Sequence, residues 1–164
     1  MLIPFQIDQT LVHPGVRIED GIATKETNGG WGTLRATKSL SPGNHQWGGK
    51  ILDQGEGADG SGLMVGLLPN FVGSSNTLSY GTKYISELGG WCFSRAGQTY
   101  GNWKCEKLPF GTGAVVEFDA DFSTNTITIT NGRDKAVGHV PMLRDIETFP
   151  ALSLYYLNQK VAFV

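Results

Sequence analysis

Three patterns in the sequence have residue types that could act on a ligand directly. Gly55-Glu56-Gly57-Ala58-Asp59-Gly60 has the G-x-G-x-x-G spacing of a phosphate-cradling turn. That chemistry needs a helix to follow, whose N-terminal amides hold the pyrophosphate. The next residues, Ser61 to Leu68, are apolar and glycine-punctuated like a strand, so the segment reads as a hairpin loop. Asp53, Glu56 and Asp59 place three carboxylates close together, but without the terminal bidentate glutamate of a calcium loop. They read as solvated charges. His13, His45 and His139 are far apart, and none opens an H-x-x-x-H or Cys/His cluster. No serine sits in a G-x-S-x-G elbow. No catalytic residue, metal ligand or cofactor is therefore assigned.

The aromatic residues say more. Trp31, Tyr84, Tyr100, Trp103, Tyr155 and Tyr156 lie in or beside turn-rich stretches. Each could plug a core. Aromatic side chains also give large contact area at low entropic cost, which suits recognition anchors, and at least one exposed anchor is expected.

The elements that must position them are short strands. Val16–Glu19 and Ile22–Lys25 flank Asp20-Gly21, which supplies the positive φ angles of a type I′ hairpin. Thr33–Leu40 reads as a strand stopped by Ser41-Pro42-Gly43-Asn44. His45–Asp53 follows, its Gly48-Gly49 pair marking a bulge or a close backbone approach. Leu63–Leu68 is a continuous apolar run, as in a buried central strand. Residues 69–88 form a long excursion with at most a helical turn, a kind of loop that is often functional. Trp91–Arg95 and Thr99–Lys104 read as a hairpin around Ala96-Gly97. Ala114–Asp121 and Thr126–Thr130 form the clearest alternating pair, ended by Asn131-Gly132. Lys135–Val140, Ala151–Leu157 and Lys160–Val164 complete the set. Eleven or twelve short strands predict two packed antiparallel sheets.

Composition narrows the function classes. The chain has 164 residues, enough for one domain that buries roughly 68–70% of its unfolded surface. Its net charge of −2 argues against a duplex-binding surface, so no nucleic acid is expected as partner. No window is apolar enough for a membrane-spanning helix, and no basic n-region marks a secretory leader. Glycine, at 23 residues, is about twice as frequent as usual, which fits many turns. Cys92 and Cys105 read as two thiols that fall out of register across the hairpin. With no Asn-x-Ser/Thr acceptor present, a reducing, cytoplasmic setting is expected.

Several segments together resemble the SPRY domain. Leu40-Ser41-Pro42-Gly43 leading to His45-Gln46-Trp47 is similar to the family's S-x-G-x-H-Y-W segment. Met64-Val65-Gly66-Leu67 resembles its V-G-V strand, and Gly90-Trp91-Cys92-Phe93 with Tyr100-Gly101 resembles the next. Gly113 to Asp119, then Thr126 to Gly132, resembles its longest hairpin, and Phe149-Pro150-Ala151-Leu152-Ser153 its closing P-A-V-S strand. The resemblance covers residues 12–164 in order; residues 1–11 read as an extension or a first edge strand. It implies a bent, concanavalin-like antiparallel β-sandwich with little or no helix and no catalytic residues. Matched position by position, the implied binding surface takes in the loop Glu26–Trp31 with Asn28 and Trp31, and Ser61, Tyr84, Tyr155 and Tyr156, with Arg35 near the rim. A protein or peptide ligand is the partner so implied, and the chain would be a monomeric interaction domain of a larger protein. A lectin-like carbohydrate binder is the second reading, which a tryptophan on a concave sheet face would favour. An enzyme of unrecognised type is the third.

Overall fold

The computed structural model describes residues 5–11, 15–55, 62–70 and 83–164. Among these, the strands in chain order are β1 (Val16–Glu19), β2 (Ile22–Lys25), β3 (Gly32–Arg35), β4 (Gln46–Asp53), β5 (Leu63–Pro69), β6 (Trp91–Ser94), β7 (Thr99–Tyr100), β8 (Lys104–Cys105), β9 (Val115–Asp121), β10 (Thr126–Asn131), β11 (Asp134–His139), β12 (Thr148–Leu154) and β13 (Lys160–Phe163). The helical elements described are two 3-10 turns, Gln9–Leu11 and Ile85–Leu88. An eight-stranded sheet has the order β1-β2-β13-β4-β9-β10-β11-β8, and a five-stranded sheet the order β3-β12-β5-β6-β7. This is the all-β, two-sheet sandwich that the alternation predicts.

The alternating strands build the core between the sheets. Val116, Phe118 and Ala120 point inward while Glu117, Asp119 and Asp121 stay exposed. Ile127 and Ile129 stand opposite Ala120 and Phe118 on β10. Burying such an isoleucine contributes roughly 1.5–3 kcal/mol. Trp47 stacks face to face on its cross-strand neighbour Phe118, with centroids 3.9 Å apart. Phe93 reaches across from the smaller sheet to Phe118 at 6.0 Å.

β5 and β12 are buried along almost their whole length because the outer face of the smaller sheet is covered too. There Met64, Leu68, Cys92 and Ala151 pack with Ile85, and Trp31, Tyr84, Leu88 and Tyr100 lie against them. This second layer explains why Leu63–Leu68 shows no alternation.

The expected turn at Asp20-Gly21 forms, with φ of 52° and 76°. Three expectations need correction, and that for Gly48-Gly49 narrows to one of its two alternatives. The strand from Thr33 stops at Arg35: Ala36 keeps one bond to β12 but also bridges Ile7, and the Thr37 amide donates to Gln6 of the N-terminal segment. Gly48-Gly49 carries no bulge in the β4–β9 register; a Cβ at Gly48 would stand 2.9 Å from Val164, so close approach accounts for it. The arm after Gly97 ends at Tyr100, and Lys104–Cys105 crosses to pair with β11, where Trp103 packs over Gly138. β12 starts at Thr148 and contains Pro150. A residue in an extended strand points its carbonyl and N–H the same way, and the Pro150 carbonyl faces Ala36, just past the end of β3. The missing donor therefore interrupts no ladder.

Cys92 and Cys105 lie in different sheets as free thiols. Burial pushes Cys92 up to about 12 and, with the charge of Glu106, Cys105 up to about 11.

Candidate functional site

The loop after β2 is shaped by a lysine pointing inward. Lys25 follows Ala23 on the same face of β2, and its side chain is 1% exposed. Its ammonium donates to the Thr27 carbonyl at 2.8 Å, the Thr27 hydroxyl at 2.8 Å and the Gly29 carbonyl at 3.0 Å. Burial holds its pKa below the ordinary lysine value. The loop is thus wrapped around a buried cation. Gly29 and Gly30 take φ of 81° and 74°, which lets the chain turn back toward Trp31.

The turn between β12 and β13 is held by Gln159, also 1% exposed. Its Oε1 accepts from the amides of Tyr155 at 2.7 Å and Tyr156 at 2.9 Å. Its Nε2 donates to the carbonyls of Gln54 at 3.1 Å and Gly62 at 2.9 Å. All four hydrogen-bonding positions of the amide are used, and one side chain ties three segments together. The Gly29 amide donates to the Tyr155 carbonyl, and the Leu157 amide donates to Asn28 Oδ1. The Tyr156 ring lies across Gly62, where a Cβ would overlap it.

On this base the aromatic side chains form one row. Trp31 sits between Tyr84 and Tyr155, with ring centroids 5.0 Å away on each side. Tyr100 extends the row beyond Tyr84 at 5.9 Å, and Tyr156 extends it beyond Tyr155 at 5.1 Å. All five are half-buried. Tyr84 is placed by the 3-10 turn after it: the Ile85 amide donates to Ser153 Oγ, and Thr33 Oγ1 donates to the Lys83 carbonyl.

Asn28, Trp31, Tyr84, Tyr155 and Tyr156 are therefore brought together. Ser61 lies outside the described residues, as do His13, Glu56 and Asp59. Arg35 is placed elsewhere, at the far end of β3 from Trp31. Its guanidinium pairs with Asp8 at 3.2 Å and covers the Phe149 ring at 4.1 Å. Lys25 and Gln159 are the residues that sequence reasoning missed. Lys25 had a signal, a charged residue on the inward face of a hairpin. Gln159 had none, since nothing marks which polar residue of a turn will be buried.

A different surface lies on the outer face of the larger sheet. A groove of about 460 Å³ is lined by Gln46, Gly48, Glu117, Asp119, Thr128 and Thr130 among others. At its edge His45 Nδ1 meets Asp119 at 2.7 Å. Among the described residues, no group of three His, Cys, Asp or Glu side chains is placed to hold a metal.

No family model and no curated protein matches the sequence. Solved structures do match. The SPRY domain of human HERC1 is 22% identical, superposes with a TM-score of 0.68, and is matched over 96% of both chains. A second human SPRY domain is 16% identical at a TM-score of 0.68, over 91% of this chain and 94% of that one. The chain has the SPRY fold. The TRIM65 PSpry domain agrees, at 12% identity and a TM-score of 0.68, over 98% of this chain and 89% of that one. Within this SPRY fold the aromatic row runs from the outer face of the five-stranded sheet to the loops after β2 and β12.

Proposed function

We propose that the chain is a non-catalytic protein-interaction module. It binds a short peptide segment, or the equivalent surface of a protein, across the aromatic row. The observation that carries this reading is the row itself: five half-buried rings, each against the next, with Trp31, Tyr155 and Tyr156 on loops that Lys25 and Gln159 fix from below, Tyr84 at the start of the 3-10 turn and Tyr100 on β7. Rings held this way offer contact area without the entropic cost of ordering loops on binding. The SPRY fold of the neighbours supports the same class of function. The proposal takes residues 1–164 as one cytoplasmic, monomeric domain of a larger protein. Among the described residues no helix is long and apolar enough to cross a membrane. The carbohydrate reading asks for a tryptophan on a concave sheet face, but Trp47, beside the polar groove, turns inward onto Phe118.

Affinity capture from a cell lysate tests the proposal. Tyr84→Ala and Tyr156→Ala are expected each to cost about 2 kcal/mol of binding, the hot-spot range, while thermal unfolding stays cooperative. A captured protein retained equally by both variants would move the site elsewhere.

A further inference from the structure

We propose that the aromatic row takes a proline-rich segment in the polyproline II conformation, an inference that rests on the peptide-binding reading above. The indoles of Trp91 and Trp103 donate to the Asn102 and Tyr100 carbonyls. By contrast, among the described residues the Trp31 indole N–H and the Tyr84 and Tyr155 hydroxyls donate to no partner, and none of the three is sealed from solvent. The centre of the row thus presents three donors beside three ring faces. Its complement is a chain rich in carbonyl oxygens and poor in N–H groups. Proline makes such a chain, because it removes the backbone donor and keeps the acceptor. A polyproline II helix leaves its carbonyls unpaired and pointing outward.

The dimensions agree. Tyr84 and Tyr155 each stand 5.0 Å from Trp31, so the two lie at most about 10 Å apart. One turn of polyproline II, three residues at 3.1 Å, advances about 9 Å. That limit admits one such turn, and the proposed pose sets pyrrolidine rings at i and i+3 against the two tyrosines, with Trp31 between them to donate to an intervening carbonyl. The charges agree as well. Among the described residues, the charged ones on the framing loops are Lys25, Glu26, Lys83 and Glu87, two of each sign. Glu26 is already paired with Arg17, and Glu87 accepts from the Tyr84 amide. A neutral ligand suits this balance. A quaternary ammonium does not, because rings with centroids 5.0 Å apart are in direct contact and enclose no hollow for it.

The test is a titration of the whole chain with labelled decaproline, followed by anisotropy and by the NMR signal of the Trp31 indole N–H. A Gly-Ser decamer and a trimethyl-lysine peptide serve as controls. Decaproline is expected to bind and to shift the Trp31 signal, and the Gly-Ser decamer to do neither. Tyr84→Phe and Tyr155→Phe keep the rings and remove only the hydroxyls. Each is expected to weaken decaproline binding about 3- to 10-fold. A random peptide library is selected in parallel. Proline-free binders that are lost in Tyr84→Ala, with no decaproline binding, would overturn the polyproline assignment and leave the peptide site standing. A preference for the trimethyl-lysine peptide would do the same. No binder of any kind that depends on Tyr84 would overturn both readings.

Discussion

Lys25 buries its ammonium among oxygen dipoles rather than against a carboxylate, and two opposing effects follow. Taking a cation out of water is costly, and three acceptors only partly offset that cost. Lys25→Met replaces it with an apolar chain of similar length. Chemical unfolding is expected to show a change of no more than about 1 kcal/mol, because relief of the buried charge offsets the lost hydrogen bonds. The loop is a separate matter. Without the ammonium, Thr27 and Gly29 lose the centre they wrap around. The Gly29 amide, which donates to Tyr155, should exchange with solvent faster in Lys25→Met than in the parent chain. The pH dependence has a definite sign. Burial lowers the folded-state pKa below 10.5, so in the interval just below that value the folded chain holds fewer protons than the unfolded one. The stability of the parent chain should therefore rise relative to Lys25→Met as the pH climbs toward 10.5. A relative fall over that range would mean that the charged form is the one the fold prefers.

At the scale of elements, Gln159 decides whether the turn after β12 is a surface loop or a fixed part of the site. Gln159→Leu keeps the bulk and strands two amides and two carbonyls at a buried position. Urea unfolding should show a loss of about 2–4 kcal/mol, the cost of several unsatisfied buried groups. A loss below about 1 kcal/mol would mean that water replaces the side chain. The sequence made β13, on one side of this turn, legible, and the turn's interior invisible. β9 and β10 are readable because one face of each meets water, so polarity alternates. The β1–β2 turn is readable because Asp-Gly has few other uses. β12 is misplaced at both ends because it is covered on two faces and contains Pro150, so neither alternation nor proline marks its limits. The destination of residues 104–105 is hidden for another reason: it depends on Trp103 finding the bare backbone of Gly138 in the other sheet. The aromatic residues of the site are legible as a set, by type and position in turn regions. Their order in the row is not, since it depends on the register Ser153↔Thr33 and on the 3-10 turn that carries Tyr84 over β12.

The whole molecule has two differently built ends, and β3 connects them. At one end, Trp31 opens the aromatic row. At the other, about 13 Å along the chain, Arg35 joins the N-terminal segment to β12 through Asp8 and Phe149. The side chains of this pair are only 16% and 15% exposed, so the contact is worth more than a surface ion pair. Arg35→Ala is expected to lower the unfolding free energy by about 2 kcal/mol, from the lost cation–π contact and the stranded carboxylate. Burial raises the Asp8 pKa, but hydrogen bonds from Thr10 and the pairing with Arg35 outweigh it and hold the carboxyl below 3.8. A depressed carboxylate stabilises the fold above its unfolded value and ceases to do so as the pH falls through its folded one. The stability gap between the parent chain and Arg35→Ala should therefore narrow below about pH 4. Binding is expected not to follow. Among the described residues the two ends are joined through a packed sandwich, whose interior does not deform continuously, so a change at the Arg35 end is expected to stay local. Protein capture by Arg35→Ala should match the parent chain within about twofold, under conditions where Tyr84→Ala captures little. If capture instead falls in step with Tyr84→Ala while unfolding remains cooperative, the binding surface extends along β3 to the Arg35 end.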